Sequence, residues 1–265
     1  MSVISKKDGQ LEYLISEKIP VSHCFTTRFG GVSTGHLASL NIGIHRGDEW
    51  SNVLENYEIL GKALDFDTKK LVLSHQTHTD IVRQVGHRDW GAGLHGPELP
   101  ECDALITNEP GTALAIFTAD CTPILLHDLV TGAVGAVHAG WRGTAASIVG
   151  KTVAAMARQF GTEPQNVRAA IGPNIGFCCF ETDADVPNAM LEAFGTEVEP
   201  WIRQGNDKYY VNLKEMNALV LRRAGVEQID ISTDCTVCQS HRFWSHRVTK
   251  GLRGSQGAII VCKER

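Results

Sequence analysis

Three segments of the chain place apolar residues at the spacing of an amphipathic helix. In residues 50–64 the apolar positions are Val53, Leu54, Tyr57, Leu60 and Leu64. These positions share one face of a helix with 3.6 residues per turn, and Ser51 lies at the start of the segment as a candidate N-cap. Segments 144–160 and 212–223 repeat the pattern, each with a glycine shortly after its end. We therefore predict three helices.

Short apolar runs bounded by turn residues predict buried strands elsewhere. The most apolar part of the chain is its centre, with runs at 112–118, 123–127 and 133–137. Each run is shorter than a typical helix, so strands are the better interpretation. Further runs lie at 71–73, 81–85, 167–171 and 258–262. Because adjacent strands recur without an intervening helix, we predict an α+β fold, a single-domain α/β sandwich with a mixed sheet.

The composition is that of an ordinary globular protein. The chain has 265 residues, of which 43% are hydrophobic and 21% are charged, and this length is sufficient to bury a large core. No linker-like, low-complexity or repeated stretch divides the sequence, so we predict one domain over residues 1–265. The formal net charge is −5 and the chain has no block of Lys and Arg. This argues against nucleic acid or an anionic membrane as a partner.

The N-terminus and the cysteines bear on the cellular compartment. The N-terminal residues lack the apolar core of a signal peptide, and no stretch approaches the roughly 20 apolar residues of a membrane-spanning helix. We therefore predict a cytoplasmic protein, with monomer and homodimer both open. Its eight cysteines are then expected to be mostly reduced thiols, for which metal binding or catalysis competes with plain burial.

One group of residues suggests a metal site. Residues 128–132 have the composition of a hairpin loop, and Cys121 and His138 are nearly equidistant from its midpoint at Leu129 and Val130. In an antiparallel hairpin they would lie opposite each other to within about a residue, and Pro123 would end the regular pairing beside Cys121. His78 would join them from a polar segment between two predicted strands.

One thiolate and two imidazoles form a ligand set that suits zinc, with a fourth position left for water as in catalytic zinc sites. Copper fits the same ligands. The alternative is that Cys121 is a small buried side chain and that the two histidines are ordinary hydrogen-bonded residues. Ligands at these separations match no fixed-spacing metal motif, so the spacing does not decide between the two interpretations.

Several motifs carry a resemblance to a known family over nearly the whole chain. They include Gln76-Thr77-His78, Cys102-Asp103-Ala104, Ala119-Asp120-Cys121-Thr122-Pro123, His138-Ala139-Gly140-Trp141-Arg142-Gly143 and Phe243-Trp244-Ser245-His246-Arg247. In this order the motifs resemble those of the YfiH/YlmD family, the laccase-domain proteins formerly called multicopper polyphenol oxidases. The resemblance implies a YfiH-like fold. It also implies that His78, Cys121 and His138 are metal ligands and catalytic residues, with Zn2+ or Cu2+ as the cofactor.

The same resemblance implies a function. The family is associated with phosphorolysis of purine nucleosides (adenosine, inosine, guanosine and methylthioadenosine) and with adenosine deamination. Purine nucleosides and phosphate are therefore the expected partners.

Four residues are candidates for contacts with substrate or phosphate. Arg142 precedes the predicted helix start at Thr144, where free backbone N–H groups favour an anion, although it would also suit a surface ion pair. Arg28 stands before two glycines and Asn41 lies in a turn-like segment, so each also fits a plain turn. Arg247 belongs to the C-terminal aromatic-Ser-x-Arg motif of the family. Asp120 could orient a ligand histidine or be a structural carboxylate, and His75 could face the same pocket as His78 or have no role there. Trp141 is expected to pack beside a buried strand end.

Two other functions remain open. A Cys-dependent hydrolase would use Cys121 as nucleophile and His138 as base. An enzyme that edits peptidoglycan precursors, an activity also associated with the family, would belong to this class. A copper-dependent polyphenol oxidase (laccase) needs many clustered imidazoles, yet none of the eleven histidines forms a His-x-His pair. The pair Cys235 and Cys238 has the spacing of a second metal or redox site, but no matching second pair supports it. Cys178 and Cys179 are expected to be structural.

Overall fold

The computed structural model describes residues 3–263, which form fifteen strands and six α-helices. The strands are β1 (Val3–Asp8), β2 (Leu11–Ser16), β3 (His23–Thr26), β4 (Leu71–Leu73), β5 (Val82–Gln84), β6 (Ala104–Thr107), β7 (Ala113–Thr118), β8 (Thr122–Asp128), β9 (Val134–Ala139), β10 (Val167–Ile171), β11 (Glu181–Thr182), β12 (Ile202–Gln204), β13 (Tyr209–Val211), β14 (Gln228–Ile231) and β15 (Gln256–Val261). The helices are α1 (Trp50–Leu64), α2 (Trp141–Ala145), α3 (Ile148–Phe160), α4 (Asp185–Phe194), α5 (Leu213–Arg223) and α6 (His246–Thr249). Within residues 3–263, no helix has the length and apolar content needed to cross a membrane.

Two six-stranded sheets form the centre of the fold. The strand order of the first sheet is β1-β2-β3-β15-β7-β4, and that of the second sheet is β14-β10-β8-β9-β6-β5. Both sheets are mixed, because β4 pairs parallel with β7, β5 with β6, and β10 with β14, whereas the other neighbours are antiparallel. A small third sheet has the order β11-β13-β12. The prediction of an α+β sandwich with mixed sheet pairing is confirmed.

The core has three layers, and strand β8 shows how its residues are divided among them. Leu125 packs between the two large sheets, together with Phe25, Ile116 and Ile260 of the first sheet. Its neighbours Ile124 and Leu126 point the other way, toward α3, α4 and α5. Helix α1 covers the outer face of the first sheet. Because both faces of β8 are buried, its sequence is a continuous apolar run rather than an alternating one.

Most predicted elements are present, and two details of the predicted helices are wrong. Helix α1 has the predicted bounds, but Glu49 is its N-cap and Ser51 lies inside it. The predicted helix 144–160 is two helices, α2 and α3, separated at Ser147, whose φ of 58° is left-handed. Apolar periodicity continues across this break, so the pattern did not mark it. Gly161 ends α3 as predicted, and α5 begins at Leu213 with Asn212 as its N-cap.

Candidate active site

Three segments that are distant in the sequence bring the predicted ligands together. His78 lies in the turn between β4 and β5, Cys121 directly precedes β8, and His138 is on β9. One ligand atom from each residue lies within 4.8 Å of the others, and Cys121 Sγ is 4.0 Å from His78 Nε2. The two imidazole rings meet edge to face, with their centroids 5.1 Å apart. The three predicted ligands therefore share one site.

The hairpin that carries two of them has a different register from the one predicted. Thr122 pairs with Ala139 and Pro123 pairs with His138, so Cys121 lies two residues from the position opposite His138. The turn is centred one residue later than the sequence midpoint suggested. Pro123 does not end the pairing as predicted, because the ladder continues through it to Thr122. The ladder ends there, directly beside Cys121, so the Cys121 side chain lies at the end of the sheet.

Asp103 positions both histidines, and the sequence reasoning gave it no role. Its carboxylate Oδ1 accepts a hydrogen bond from His138 Nδ1 at 2.7 Å. The same carboxylate accepts from the backbone N–H groups of the turn around His78, at 3.1 Å from His78 N and 2.7 Å from Thr79 N. Because Nδ1 of His138 donates to Asp103, Nε2 is the ring nitrogen that remains for a metal, which would take the place of a proton there. One buried carboxylate therefore orients one ligand and holds the turn that carries the other.

Two features of the backbone show how tightly the site is built. His78 and Asp120 adopt left-handed φ angles of 64° and 88°, which are uncommon for residues other than glycine. Gly140 has an ordinary φ of −68°. A Cβ at this position would lie 3.1 Å from His78 Cδ2 and 3.4 Å from Cys121 Sγ. Glycine is therefore the residue that leaves these two ligands their space.

The charged forms of the buried Cys121 and His138 side chains stabilise each other. Burial alone raises the pKa of the Cys121 thiol, but the charge of His138 and hydrogen bonds from His138 and His78 outweigh burial and lower that pKa to about 6. Burial alone lowers the pKa of His138, but the Cys121 charge and the Asp103 hydrogen bond raise it to about 9. The thiolate is the form that binds metals and attacks electrophiles.

The donor set fits a divalent metal ion. A thiolate sulfur and two imidazole nitrogens suit zinc and also copper, and three protein ligands leave a position for another group. Asp103 fixes the His138 tautomer that coordination requires, and Gly140 leaves the ligands free of side-chain contact from that position.

The three ligands lie on the wall of a cavity of about 550 Å³, which is within the range of small-molecule sites. Its lining combines aromatic, histidine and arginine side chains. They include Phe117, Trp141, Phe180, His45, His75, His246, Arg46, Arg247 and Arg253, together with Glu98 and Asp120. The Glu98 carboxylate accepts a hydrogen bond from His45 Nε2 at 2.9 Å and lies 4.0 Å from His75 Nε2. The cavity thus places groups able to transfer protons near the candidate metal ligands.

Arg46 and Arg253 are cavity residues that the sequence reasoning missed. Burial lowers the pKa of Arg253 to about 10, and the neighbouring charge of Arg46 acts in the same direction, whereas Asp120 and Cys121 raise it. Arg253 lines the same cavity as Arg46 and the candidate ligand Cys121. Its Nε is buried without a hydrogen-bond partner among the described residues. Two guanidinium groups in the cavity that the ligands line form a candidate anion site.

Of the four residues predicted to contact substrate or phosphate, only Arg247 lines the cavity. The guanidinium of Arg247 donates to the carbonyls of Cys179 and Glu181, at 3.3 and 2.9 Å. Arg142 is exposed and stacks on Trp141, with its Cζ 4.1 Å from the ring centroid. Trp141 packs against the core, as expected, and it also lines the cavity.

Arg28 and Asn41 lie outside the cavity lining and support the loops around it. Arg28 stacks on Trp244 at 3.9 Å and donates to the carbonyl of Ala38 at 3.0 Å. Asn41 is fully buried, accepts from Ser255 N at 2.9 Å and donates to Asp48 at 2.9 Å. These bonds occupy the polar groups of Asn41 and join two distant loops.

Asp120 does not contact the candidate histidine ligands. Its carboxylate accepts from Thr236 Oγ1 at 2.6 Å, Ser245 Oγ at 3.1 Å and Arg247 N at 2.7 Å. Asp120 therefore joins the segment before Cys121 to the C-terminal aromatic-Ser-x-Arg motif. Asp103 is the carboxylate that orients His138, and its place in the Cys102-Asp103-Ala104 motif was the signal available in the sequence.

Comparisons with known proteins agree with the resemblance seen in the motifs. The model of the family described as multi-copper polyphenol oxidoreductase laccase matches residues 22–263. Purine nucleoside phosphorylase YlmD of Geobacillus stearothermophilus is 37% identical over 244 residues, covering 90% of this chain and 89% of that protein. Purine nucleoside phosphorylase YfiH of Escherichia coli is 34% identical over 231 residues, covering 87% of this chain and 89% of that protein.

Solved structures agree as well. The crystal structure of YlmD from Geobacillus stearothermophilus superposes with a TM-score of 0.92 at 34% identity, covering 99% of this chain and 100% of that chain. The segment that matches the family, residues 22–263, contains the three candidate ligands and Asp103. The chain therefore belongs to the multi-copper polyphenol oxidoreductase laccase family, which is the YfiH/YlmD family.

Proposed function

We propose that this protein is a metal-dependent purine nucleoside phosphorylase. The observation that carries the proposal is that a candidate metal site and a pair of arginines share one cavity of about 550 Å³. The names of the relatives YlmD and YfiH support the same activity. Phosphorolysis joins an anion and a nucleoside, so the active site must hold both in contact.

Arg46 and Arg253 are the proposed phosphate contacts. Burial lowers the pKa of Arg253 only to about 10, so this guanidinium is protonated at neutral pH. A charged guanidinium in a partly buried site binds a phosphate oxygen with charge-assisted hydrogen bonds. Arg247 holds the segment around Cys179 and Glu181 through its bonds to their carbonyls, so we assign it a positioning role for this wall of the cavity.

Aromatic residues of the cavity are the proposed contacts for the base. Phe117, Trp141 and Phe180 line the same space as the arginines, and flat apolar side chains suit the faces of a purine ring. His75 and His45, which share Glu98, are available to exchange protons with the leaving base. The cavity therefore contains proposed contacts for the base and for phosphate.

His78, Cys121 and His138 would hold the metal, which we propose to be zinc, with copper as the alternative. A divalent ion bound there would supply Lewis acidity, which stabilises charge on a leaving purine and also serves hydrolytic deamination of adenosine. Asp103 keeps His138 in the tautomer that coordination requires and fixes the His78 turn. The thiolate of Cys121 is favoured because its pKa is lowered to about 6.

We propose adenosine, inosine, guanosine and methylthioadenosine as substrates and adenosine deamination as an accompanying activity. The proposed location is the cytoplasm, whose reducing conditions would keep the cysteines as thiols, in agreement with the thiols found here. Phenol oxidation through several coppers is less well supported. Among residues 3–263 there are two candidate metal clusters, and only one of them contains histidine.

One observation favours a second candidate, a Cys-dependent hydrolase. The pKa of Cys121 is lowered to about 6 and that of His138 is raised to about 9, and both shifts favour the thiolate–imidazolium form of an activated thiol nucleophile. Editing of peptidoglycan precursors belongs to this class. Chelation separates the two candidates, since a thiol hydrolase stays active without metal and loses activity when Cys121 is alkylated.

The test of the proposed function is to incubate the purified, metal-loaded protein with each of the four nucleosides, with and without phosphate. Free base, ribose 1-phosphate or its methylthio analogue, and inosine are followed by chromatography. We expect base release that depends on phosphate and an equal amount of sugar phosphate. Base release with free ribose would indicate hydrolysis instead. No phosphate-dependent release from any nucleoside would refute the proposal.

A further inference from the structure

Four cysteine side chains form a second cluster outside the residues assigned to phosphorolysis. Cys178 and Cys179 lie between β10 and β11, and Cys235 and Cys238 follow β14. One sulfur from each lies within 4.8 Å of the other three. Cys238 Sγ is 3.5 Å from Cys178 Sγ and 3.4 Å from Cys179 Sγ. The Cys235/Cys238 pair, for which the sequence offers no matching Cys-x-x-Cys pair, therefore has a partner in two adjacent cysteines.

The separations of the sulfur atoms fit one tetrahedral metal ion. With zinc–sulfur bonds of about 2.3 Å, the sulfurs of a tetrahedral site are roughly 3.8 Å apart. The contacts of 3.4 and 3.5 Å are near this value and are far longer than the roughly 2.05 Å of a disulfide. All four cysteines are free thiols. Four sulfur ligands close the coordination shell, which is the arrangement of structural zinc rather than catalytic zinc.

The backbone around Cys235 is arranged for a thiolate. Cys235 Sγ accepts hydrogen bonds from the backbone N–H groups of Gly176 and Cys238, at 3.2 and 3.5 Å. Such bonds stabilise negative charge on sulfur. A Cβ at Gly176 would lie 3.3 Å from the sulfurs of both Cys178 and Cys235. Gly176 therefore leaves space for the sulfurs, as Gly140 does at the first site.

We propose that Cys178, Cys179, Cys235 and Cys238 bind a structural zinc ion that joins the two segments of chain carrying them. The role follows from the neighbours of the cluster. Ile175 and Phe180, which flank Cys178 and Cys179 in the sequence, line the cavity. The carbonyl of Cys179 accepts a hydrogen bond from Arg247. Next to Cys235, Thr236 donates to Asp120 at 2.6 Å. A zinc ion here would fix one wall of the cavity without contacting the substrate.

The test measures zinc in the full-length protein, purified with a reductant after expression in zinc-supplemented medium. We expect about two zinc ions per chain in the wild type and about one in Cys178→Ser/Cys238→Ser. Cys121→Ser should also retain about one, which separates the two sites. The matched control is Cys24→Ala, a buried cysteine on β3 outside both clusters, and it should retain about two. Equal zinc contents in the wild type and Cys178→Ser/Cys238→Ser would overturn the proposal.

A second measurement does not depend on folding of the double variant. Co2+ is titrated into metal-free Cys121→Ser, and thiolate-to-cobalt absorption in the near ultraviolet is recorded. We expect the strong band of a site with four thiolates, saturating at about one equivalent, and its loss when Zn2+ is added. Absence of this band would overturn the proposal. A disulfide among the four cysteines of the purified protein, seen as a mass about 2 Da below that of the all-thiol chain, would also overturn it.

Discussion

Replacing Asp103 with asparagine tests how the protein prepares its metal ligands. The substitution keeps the size of the side chain but turns one carboxylate oxygen into an NH2 group. If that group faces His138 Nδ1, the imidazole must accept there, and its proton moves to Nε2, the atom needed for the metal. If it faces the turn instead, it meets the N–H groups of Thr77 and Thr79, which now donate at 3.3 and 2.7 Å. Neither orientation satisfies both sides.

The expected loss follows from these contacts. Hydrogen bonds to a charged group contribute about 1.5–3 kcal/mol each, and changes to residues that orient metal ligands weaken metal affinity about 10–100-fold. We therefore expect Asp103→Asn to weaken metal binding about 10–100-fold, which corresponds to roughly 1.4–2.7 kcal/mol. Phosphorolysis at limiting metal should fall by a similar factor.

The assay titrates Co2+ into the metal-free protein, with and without Asp103→Asn, in the Cys178→Ser/Cys238→Ser background so that only the cavity site binds. Asp128→Asn is the matched control. Asp128 is equally buried and accepts from Val130 N at 2.8 Å and Thr131 Oγ1 at 2.6 Å, but these partners are in its own loop. Its substitution should cost stability and leave cobalt affinity unchanged. Asp103→Asn with cobalt affinity within twofold of the parent would refute the reasoning.

Three further predictions concern single positions. Gly140→Ala should weaken metal binding several-fold, because the added Cβ would lie 3.1 Å from the His78 ring. The control Gly86→Ala, whose Cβ would have its nearest contact at 3.7 Å, should not weaken it. Cobalt titration measures metal binding by both variants. Arg253→Gln should raise the KM for phosphate at least about tenfold, because a charge-assisted hydrogen bond is lost. The control Arg222→Gln, on α5, should keep the wild-type KM. A wild-type KM for phosphate in Arg253→Gln would refute the assignment. Burial lowers the pKa of His127 to about 4 in the folded protein. Because His127 has its ordinary pKa of about 6.5 in the unfolded chain, the unfolded chain is protonated first as the pH falls. Between pH 7 and pH 5 the free energy of unfolding of the wild type should therefore decrease by about 2 kcal/mol more than that of His127→Leu. Urea unfolding measures this difference, and parallel pH profiles would contradict it.

Local patterns predicted the elements of this fold because each element depends mainly on neighbouring residues. The 3.6-residue period gave the bounds of α1, and the apolar runs gave the central strands. The break at Ser147 lacked such a signal because the apolar face continues through it. The division of the strands into two sheets also depends on contacts between distant segments, which one sequence does not display.

In the candidate site, too, sequence motifs identified some residues, whereas others are brought together only by contacts between distant segments. His78, Cys121 and His138 were identified because the family motifs name them, and hairpin geometry alone placed Cys121 two residues from its actual position in the register. Arg46 and Arg253 are separated by about two hundred residues and stand in short polar segments without a recognisable motif. Cys178 and Cys179 match no spacing rule for a partner of Cys-x-x-Cys. Only tertiary packing brings these residues together.

The central claim is that His78, Cys121 and His138 hold a metal on which phosphorolysis depends. The most direct measurement is the rate of sugar phosphate formation by wild-type protein from which metal has been removed, before and after Zn2+ is returned, with the Cys121 thiol shown by mass spectrometry to be unmodified. We predict negligible activity in the metal-free protein and recovery once Zn2+ is restored. Full phosphorolysis by the metal-free protein would contradict the account.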